Sequence, residues 1–451
     1  PRSVSTSTSC SQPEELGMYG DFSRLSFNRA RSYTSVWSQQ GRMQLDSDFN
    51  EQTAILLDWL RTLAIDFIGP AGGHISWAGF GVSLQGSDDL VLAPGHYYVA
   101  GMRCVVPPPE QPDALTYSKL KGAGQPPIPT GKESLVYLRV WERSVNALQD
   151  PLLLEPALGP AAPDTTIRTQ VAWSLGLTDP PRVKPNETLP GAVAEQFVIM
   201  NDPPLRPVLH AKVAPSSEDD PVGASVGYSG LDNQLYRVEI HRGNDDPNDL
   251  TGPTFKWSRD NGSVEFGFDT VTVDETAQST QIQLTGGGLP GRPQLEIGDC
   301  VEVIDNSWEP FGSPGPLLTV GDVDPVGHTV TLAGAVPGPV TTGLLRRWDS
   351  VPDGGDGSPI PVGTDEWIRI ESGIHIQFTA ANAVYRRGDF WVIPARAATG
   401  TIYGPTTDPG GSTPYGPERC FAPLALIRTK GEVVELRSLF THLAWPDMPG
   451  S

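Results

Sequence analysis

The chain has 451 residues, with 53 acidic and 32 basic side chains and a formal net charge of −21. This charge repels phosphate backbones, which argues against a general nucleic-acid-binding protein. No apolar run reaches the roughly 18 residues that a bilayer-spanning helix needs, and the glycines lack the three-residue period of collagen. The first residues show no basic stretch followed by an apolar core, so no secretion signal is expected.

Glycine and proline indicate the fold class. The chain holds 49 Gly and 45 Pro, dispersed among short alternating segments, which suits strands joined by tight turns better than long helices. Because single cores stop growing well below this length, we expect about two to four domains. We therefore predict a mainly β protein, with several small antiparallel β-sandwich or barrel domains and one N-terminal amphipathic α-helix.

Residues 1–70 are predicted to form a polar arm and a helix, used for attachment or oligomerisation. Asp48 is a favourable N-cap, Glu51 completes a capping-box pattern, and Gly69 with Pro70 ends the helix. The helix carries what we call the apolar stripe, with spacings of four and three: Phe49, Thr53, Leu56, Leu60, Leu63 and Phe67. The stripe is either part of a domain core or the seam of a two- or three-stranded bundle between subunits. The seam residues would be Phe49, Leu56, Leu60, Leu63 and Phe67.

The rest of the chain has the patterning of strands, and we divide it by its Pro-rich stretches. The predicted units are β domain 1 (71–180), a Pro-rich connection (181–224), β domain 2 (225–290), a small β-barrel-like unit (291–340) and a C-terminal β domain (341–451). Asn261-Gly262 between alternating segments predicts a type I′ hairpin in β domain 2. Three short strands between Leu295 and Leu332 are typical of a closed barrel.

One group of charged residues stands out, which we call the predicted polar cluster. Its members are Arg237, Glu239, His241, Lys256, Arg259 and Asp260. The first three alternate with Tyr236, Val238 and Ile240, so they share one strand face. Cross-strand ion pairing accounts for such a cluster without catalysis. Since GxSxG, P-loop and strand-flanked GxGxxG motifs are also absent from the sequence, we expect no enzyme and predict no catalytic or cofactor-binding residues.

Metal binding is not expected either. Cys10, Cys104, Cys300 and Cys420 are widely separated, and Cys104 and Cys300 lie in strand-like runs as small buried hydrophobes, with disulfides as the alternative. The seven histidines are dispersed. One acidic loop offers oxygens to Ca²⁺ but lacks the EF-hand pattern, so a solvated turn is the expected state. Its residues are Asp245, Asp246, Asn248 and Asp249.

Specific motifs are spread over nearly the whole chain. They are GDFSR (20–24), QGRMQLDSDFNEQ (40–52), YLRVWER (137–143), ALG (157–159), DTTIRT (164–169), NQLYRVEIH (233–241), FKWSRDNGS (255–263), GDFW (388–391) and IPAR (393–396). In these segments the chain resembles a bacterial family of unknown function that is encoded among phage-tail-like contractile injection genes.

The resemblance implies a non-enzymatic structural subunit of such a particle, as a baseplate, fibre, collar or cap component. It implies a homo-oligomer that docks to other tail, baseplate or fibre proteins, assembles in the cytoplasm and leaves the cell with the particle. No nucleic acid and no membrane insertion are expected. The eleven tryptophans favour an alternative, a cell-surface or glycan-binding adhesin whose partner is a surface glycan. A carbohydrate-active enzyme that uses an acid pair is the third and least favoured alternative.

Overall fold

The computed structural model describes residues 19–86, 89–108, 115–120, 128, 131–158, 165–201, 206–214, 227–244, 252–285, 294–306, 315–337, 340–350, 359–363, 365–379, 383–405 and 410–441. Its α-helices are α1 (Asp46–Ile68), α2 (Tyr117–Leu120) and α3 (Leu189–Asn201). The strands in the first half are β1 (Ala71–His74), β2 (Val82–Gln85), β3 (Asp89–Leu92), β4 (Gly95–Val99), β5 (Met102–Val106), β6 (Ser134–Val145), β7 (Arg168–Thr178) and β8 (Val208–Val213).

The central strands are β9 (Gln234–Arg242), β10 (Thr254–Ser258), β11 (Glu265–Asp274), β12 (Ser279–Leu284), β13 (Cys300–Asp305), β14 (Leu317–Asp324), β15 (Thr329–Ala333) and β16 (Gly343–Trp348). The last strands are β17 (Ile360–Pro361), β18 (Ile368–Arg369), β19 (Ile374–Thr379), β20 (Phe390–Arg396), β21 (Thr401–Ile402), β22 (Cys420–Ile427), β23 (Val433–Glu435) and β24 (Leu439–Phe440). The chain is mainly β with mostly antiparallel sheets, which confirms the predicted fold class.

Three hydrophobic cores organise these strands. The first lies between the sheet β24-β1-β4-β5 and the sheet β23-β22-β6-β7, with residues such as Tyr97, Leu138 and Leu424. The second fills a sandwich of β17-β10-β9-β20-β21 and β18-β19-β8, with Tyr236 and Trp391 among its members. The third fills a closed barrel, β11-β12-β15-β14-β13-β16, as the short strands between 295 and 332 predict.

The strand pairing differs from the predicted linear division of the chain. β11 and β12 belong to the barrel, although they precede residue 291. Described strands of the segment 341–451 join the other units: β16 closes the barrel, β20 pairs with β9, and β22 pairs with β6. The connection 181–224 contains α3 and β8. Local patterning identifies strands. It does not predict which strands pair, because these partners lie far apart along the chain.

The Asn261-Gly262 turn has the expected backbone but joins different sheets. Asn261 has φ 51° and Gly262 has φ 65°, as a type I′ turn requires. However, β10 pairs with β9 and β17, while β11 pairs with β12 and β16, so the turn does not close a hairpin. It passes instead from the sandwich to the barrel. The buried Asn261 amide donates to the carbonyl of Gly20 at 3.0 Å, which ties the N-terminal segment to this junction.

Helix α1 begins at Asp46 with Leu45 as its N-cap, three residues before the expected start with Asp48 as N-cap. Asp48 occupies the third helical position, where its carboxylate accepts from the Leu45 N–H at 3.4 Å. The helix ends at Ile68, and Gly69 follows with φ 92°, as the Gly-Pro pair predicts. Among the described helices, none combines the length and hydropathy that crossing a membrane requires.

The described cysteines follow both expectations. Cys104 and Cys300 are buried thiols in strands, as predicted for small hydrophobes. Cys420 is also buried but is disulfide-bonded, so the alternative applies at that position.

Candidate functional site

Strand β9 presents a charged face that is as buried as its apolar face. Tyr236, Val238 and Ile240 fill the sandwich core, and the alternate residues point the other way, as the sequence predicts. Those residues, Arg237, Glu239 and His241, are only 1%, 3% and 7% exposed. Because charged side chains are rarely buried without partners, this face must meet complementary groups.

Lys256 connects two of the three cores. It lies opposite Glu239 in the β9–β10 register, and its Nζ is 3.2 Å from Glu239 Oε1. The same Nζ is 2.6 Å from Glu302 Oε2 on barrel strand β13. Glu302 also accepts from Trp348 Nε1 at 3.0 Å. Arg237 Nε completes the arrangement at 2.6 Å from Glu239 Oε2. One ammonium group therefore links a sandwich carboxylate to a barrel carboxylate.

Tyr19 inserts from the N-terminal segment into this arrangement. Its hydroxyl donates to Glu239, with both carboxylate oxygens 2.9 Å away. The Tyr19 ring lies between two guanidinium groups, 4.2 Å from that of Arg237 and 3.5 Å from that of Arg346. Arg346 in turn forms a salt bridge of 2.6 Å with Glu265. We call Tyr19, Arg237, Glu239, Lys256, Glu302 and Arg346 the buried charge cluster.

The structure thus divides the predicted polar cluster. Arg237, Glu239, His241 and Lys256 come together at the cavity between sandwich and barrel. Arg259 and Asp260 belong to another group: Arg259 contacts Asp349 at 3.2 Å and Glu371 at 3.0 Å, and Asp260 contacts Arg347 at 3.5 Å. The predicted ion pairing is present in both groups.

Sequence reasoning missed Tyr19, Glu302 and Arg346, which come from distant segments. One local signal was available for Glu302. In β13 every position from Cys300 to Asp305 is buried, and Glu302 alternates with Val301 and Val303, which line the barrel core. A carboxylate on the outer face of such a strand indicates that another charged surface covers it.

Ion pairing dominates the protonation of the carboxylates in the cluster. Burial opposes ionisation of Glu302, yet the charges of Lys256, His241 and Arg346 lower its pKa to about 2. The pKa of Glu239 is also lowered, since Lys256 and Arg237 outweigh burial. Burial and the Lys256 charge lower the pKa of His241 to about 4, so this imidazole is neutral at pH 7. Burial raises the pKa of Tyr19, which remains a hydrogen-bond donor. The carboxylates of Glu239 and Glu302 are therefore ionised, and each is paired with a cation.

These pKa values predict how stability depends on pH. The lowered pKa of Glu302 gives stability that is present above its ordinary pKa of 4.5 and is lost as pH falls towards 2. His241 takes up a proton between pH 6.5 and 4 only when unfolded, so it also makes stability decline on acidification. Asp389 acts oppositely: burial raises its pKa to about 7, so its contribution is fully present below its ordinary pKa of 3.8 and is lost as pH rises from there to 7.

Between about pH 6.5 and 4 the contributions of His241 and Asp389 oppose each other, so we expect the wild-type urea midpoint to change little there and to fall below about pH 4.5, where the Glu302 contribution is lost. With His241→Phe the Asp389 contribution is no longer opposed, so the midpoint of this variant should rise as pH falls from 6.5 to 4. Urea titrations at several pH values test this expectation. A His241→Phe midpoint that does not rise between pH 6.5 and 4 would contradict it.

Helix α1 carries the apolar stripe on its solvent-exposed side. All 23 residues of α1 are described, and only Ser47 and Ile55 are buried. The seam residues are largely exposed: Phe49 79%, Leu56 54%, Leu60 63%, Leu63 43% and Phe67 65%. Trp59 beside them is 56% exposed. The apolar stripe therefore does not belong to any of the three cores of this chain.

Three charged side chains of α1 contact the rest of the chain instead. Arg61 forms a salt bridge with Glu142 of β6, and Asp58 forms one with Arg29. Glu51 accepts from the Ser26 hydroxyl at 2.6 Å. Arg61 thus supplies the partner that Glu142 needs on its strand. A helix that points its charges inwards and its leucines outwards has the reverse of the usual amphipathic orientation.

Metal ligands are not grouped in the described residues. No set of three or more His, Cys, Asp or Glu side chains in those ranges is arranged to hold an ion. The acidic loop with Asp245, Asp246, Asn248 and Asp249 lies outside the described residues.

Comparison with known proteins identifies one family. No curated protein and no solved structure matches the chain. A family model described as "Family of unknown function (DUF6519)" matches residues 18–189 and 187–417. These matches include the buried charge cluster, helix α1, the second and third cores and the first core except for strands β22 to β24. The chain therefore belongs to this family of unknown function.

Proposed function

We propose that the chain is a non-enzymatic structural subunit of a phage-tail-like contractile injection particle, as a baseplate, fibre, collar or cap component. In this proposal it self-associates through the apolar stripe and docks to other particle proteins. The observation that carries the proposal is the exposed apolar stripe on α1, because contiguous apolar surface of this kind marks interaction sites in folded proteins.

The pattern of the stripe favours another copy of the same helix as the occupant. Spacings of four and three place Phe49, Leu56 and Leu63 at d positions and Thr53, Leu60 and Phe67 at a positions of heptads, which is the pattern of a helical bundle seam. None of the six residues is charged. Two copies that each carry a net charge of −21 repel one another, so an uncharged seam brings them together with the least electrostatic cost.

The size of the stripe is sufficient for association. Burying a Leu or Phe side chain fully contributes about 1.5–3 kcal/mol. Five such residues on each helix, already partly shielded, provide a gross driving force on the order of 10 kcal/mol. This burial free energy is comparable with the roughly 4–15 kcal/mol that association costs in translational and rotational entropy. Contacts beside the stripe, such as those of Trp59, then supply the net affinity.

Co-sedimentation tests the proposed function. The tagged chain is expressed in cells that produce the particle, and particles are collected by ultracentrifugation. We expect the wild-type chain to sediment with sheath proteins and Leu60→Asp with Leu63→Asp to remain in the supernatant. The control Leu231→Asp, at a residue that is 94% exposed elsewhere, should sediment normally. A wild-type chain that stays in the supernatant while sheath proteins sediment would refute the proposal.

A second candidate, the glycan-binding adhesin, is favoured by one surface feature. Trp77 is 46% exposed, and its ring stacks on that of His74 with centroids 3.9 Å apart. His96 and Tyr98 continue this group of rings. A glycan array that shows binding by the wild-type chain and loss with Trp77→Ala would support an adhesin, and an array without binding would exclude it.

A further inference from the structure

A cavity of about 580 Å³ opens between helix α1 and the N-terminal segment that precedes it. Helix α1 contributes Trp59, Thr62 and Asp66 to the lining, and the segment contributes Phe27 and Tyr33. Pockets that bind small molecules in proteins have volumes of roughly 300–1,000 Å³. The cavity therefore has the size of a small-molecule site.

Both walls of this cavity are held by contacts within the chain. Arg29–Arg31 form a 3₁₀ turn, and at its start the Asn28 side chain accepts from the Ala30 N–H at 2.9 Å. Arg29 joins this turn to α1 through its salt bridge with Asp58. A site that is already shaped loses less free energy to ordering when a ligand binds. The cavity is therefore formed in the free chain.

Three aromatic side chains line the cavity, those of Phe27, Tyr33 and Trp59. Tyr33 and Trp59 remain 52% and 56% exposed, so their rings are accessible to a ligand. On α1, Trp59, Thr62 and Asp66 follow one another at spacings of three and four. The short Thr62 side chain thus leaves a gap between the indole ring and the carboxylate. Because ring faces carry negative potential, with Trp the strongest, these side chains favour a cation.

The charges of the lining favour a cation as well. Two carboxylates, Asp58 and Asp66, line the cavity with one cation, Arg29, which is paired with Asp58. Asp66 is exposed and has no ion-pair partner among the residues that the structure describes. The net charge of −21 on the whole chain adds an attractive field for cations. The rings, the lining charges and the charge of the chain therefore indicate the same sign of ligand.

We propose that this cavity binds a small organic cation with a trimethylammonium group, such as choline. This group has no N–H donor and spreads its charge over methyl groups, so it gains more from ring faces than from hydrogen-bond acceptors. The Asp66 carboxylate balances its charge. The hydroxyl end of choline finds hydrogen-bonding partners in the polar side chains of Asn28, Ser32 and Thr34, which also line the cavity.

Ligand-observed NMR titration of the full chain tests the proposal with choline and with 3,3-dimethylbutan-1-ol, which has the same shape without the charge. We expect choline to bind one saturable site with a dissociation constant on the order of 1 mM. The uncharged analogue should bind at least about tenfold more weakly. Equal binding of the two compounds, or no saturable binding of choline, would overturn the proposal. Both titrations use the wild-type chain, so neither depends on the folding of a variant.

Two substitutions locate the site. Trp59→Leu and Asp66→Asn should each weaken choline binding by about threefold or more. The matched controls are Trp37→Leu, at a tryptophan that is 85% exposed outside the lining, and Asp269→Asn, at an exposed acid of β11. Both controls should bind choline as the wild type does. Unchanged affinity in Trp59→Leu, or an equal loss in Trp37→Leu, would overturn the proposal.

Vesicles of phosphatidylcholine distinguish the two sources of a trimethylammonium group. Sedimentation of the chain with these vesicles, reversed by free choline, would identify a lipid headgroup as the ligand. A chain that binds free choline but stays in the supernatant would identify the free cation. These results are independent of the proposed particle function, which co-sedimentation with sheath proteins tests.

Discussion

Replacing Lys256 by Met is expected to destabilise the chain by about 3–5 kcal/mol, the usual loss when one partner of a buried ion pair is removed. The Lys256 Nζ lies 3.2 Å from Glu239 and 2.6 Å from Glu302, and all three side chains are almost fully buried. Without the ammonium, two ionised carboxylates remain on facing surfaces of sandwich and barrel. Urea denaturation followed by tryptophan fluorescence measures the loss.

The control for this prediction is Lys184→Met, which removes an exposed cation that pairs with Glu195. Exposed pairs contribute little, so the urea midpoint should not change measurably. Adding Glu302→Gln to Lys256→Met should restore part of the stability, since Trp348 still has an oxygen to which it donates. If Lys256→Met and Lys184→Met unfold at the same urea concentration, the cluster does not hold sandwich and barrel together.

Replacing Leu60 and Leu63 by Asp is expected to abolish self-association without weakening the fold. Both side chains are exposed, at 63% and 43%, so the free energy of unfolding of the single chain should change by less than about 1 kcal/mol. In an assembled seam the same changes place several carboxylates in an apolar interface, so association should weaken by at least about 100-fold. Light scattering should report the 48.4 kDa of one chain.

Leu231→Asp is the matched control for the seam substitutions. It also replaces an exposed leucine, 94% accessible, by an acid, but at a site distant from α1 in the sequence. Its molar mass in light scattering should equal that of the assembled wild-type chain. Equal losses of assembly in the control and the seam variant would point to general charge repulsion rather than to the apolar stripe.

Features that are determined by residues close together in the sequence were predictable. The end of α1 at Gly69 follows from the Gly-Pro pair, and the alternation of Tyr236, Val238 and Ile240 with charged residues follows from strand geometry. The closed barrel follows in part, since its strands at 300–333 are neighbours in sequence. In each case the residues that determine the feature lie within one element or in consecutive elements.

Features that depend on distant partners were not predictable. Glu239 accepts from Tyr19 and shares Lys256 with Glu302, which are 220 and 63 positions away, and no pattern in a single strand encodes such contacts. Asn261-Gly262 has the local conformation of a hairpin turn, yet the partners of the flanking strands are chosen by the packing of whole sheets. Whether the apolar stripe faces a core or the solvent was not predictable for the same reason, because Arg61 and Asp58 meet their salt-bridge partners only in the folded chain.

Disulfide trapping at Leu60 tests most directly the claim that copies of α1 meet at the apolar stripe. In a parallel pair Leu60 faces Leu60 of the second copy, and in an antiparallel pair centred on the stripe it faces Leu56, so Leu60→Cys is tested alone and together with Leu56→Cys. Cys104 and Cys300 are buried and should not react. We predict a covalent dimer of about twice 48.4 kDa on a non-reducing gel for Leu60→Cys or for its combination with Leu56→Cys, and none for Thr62→Cys, which is exposed but lies outside the stripe. Monomer bands for both stripe variants, or as much dimer for Thr62→Cys, would contradict the account.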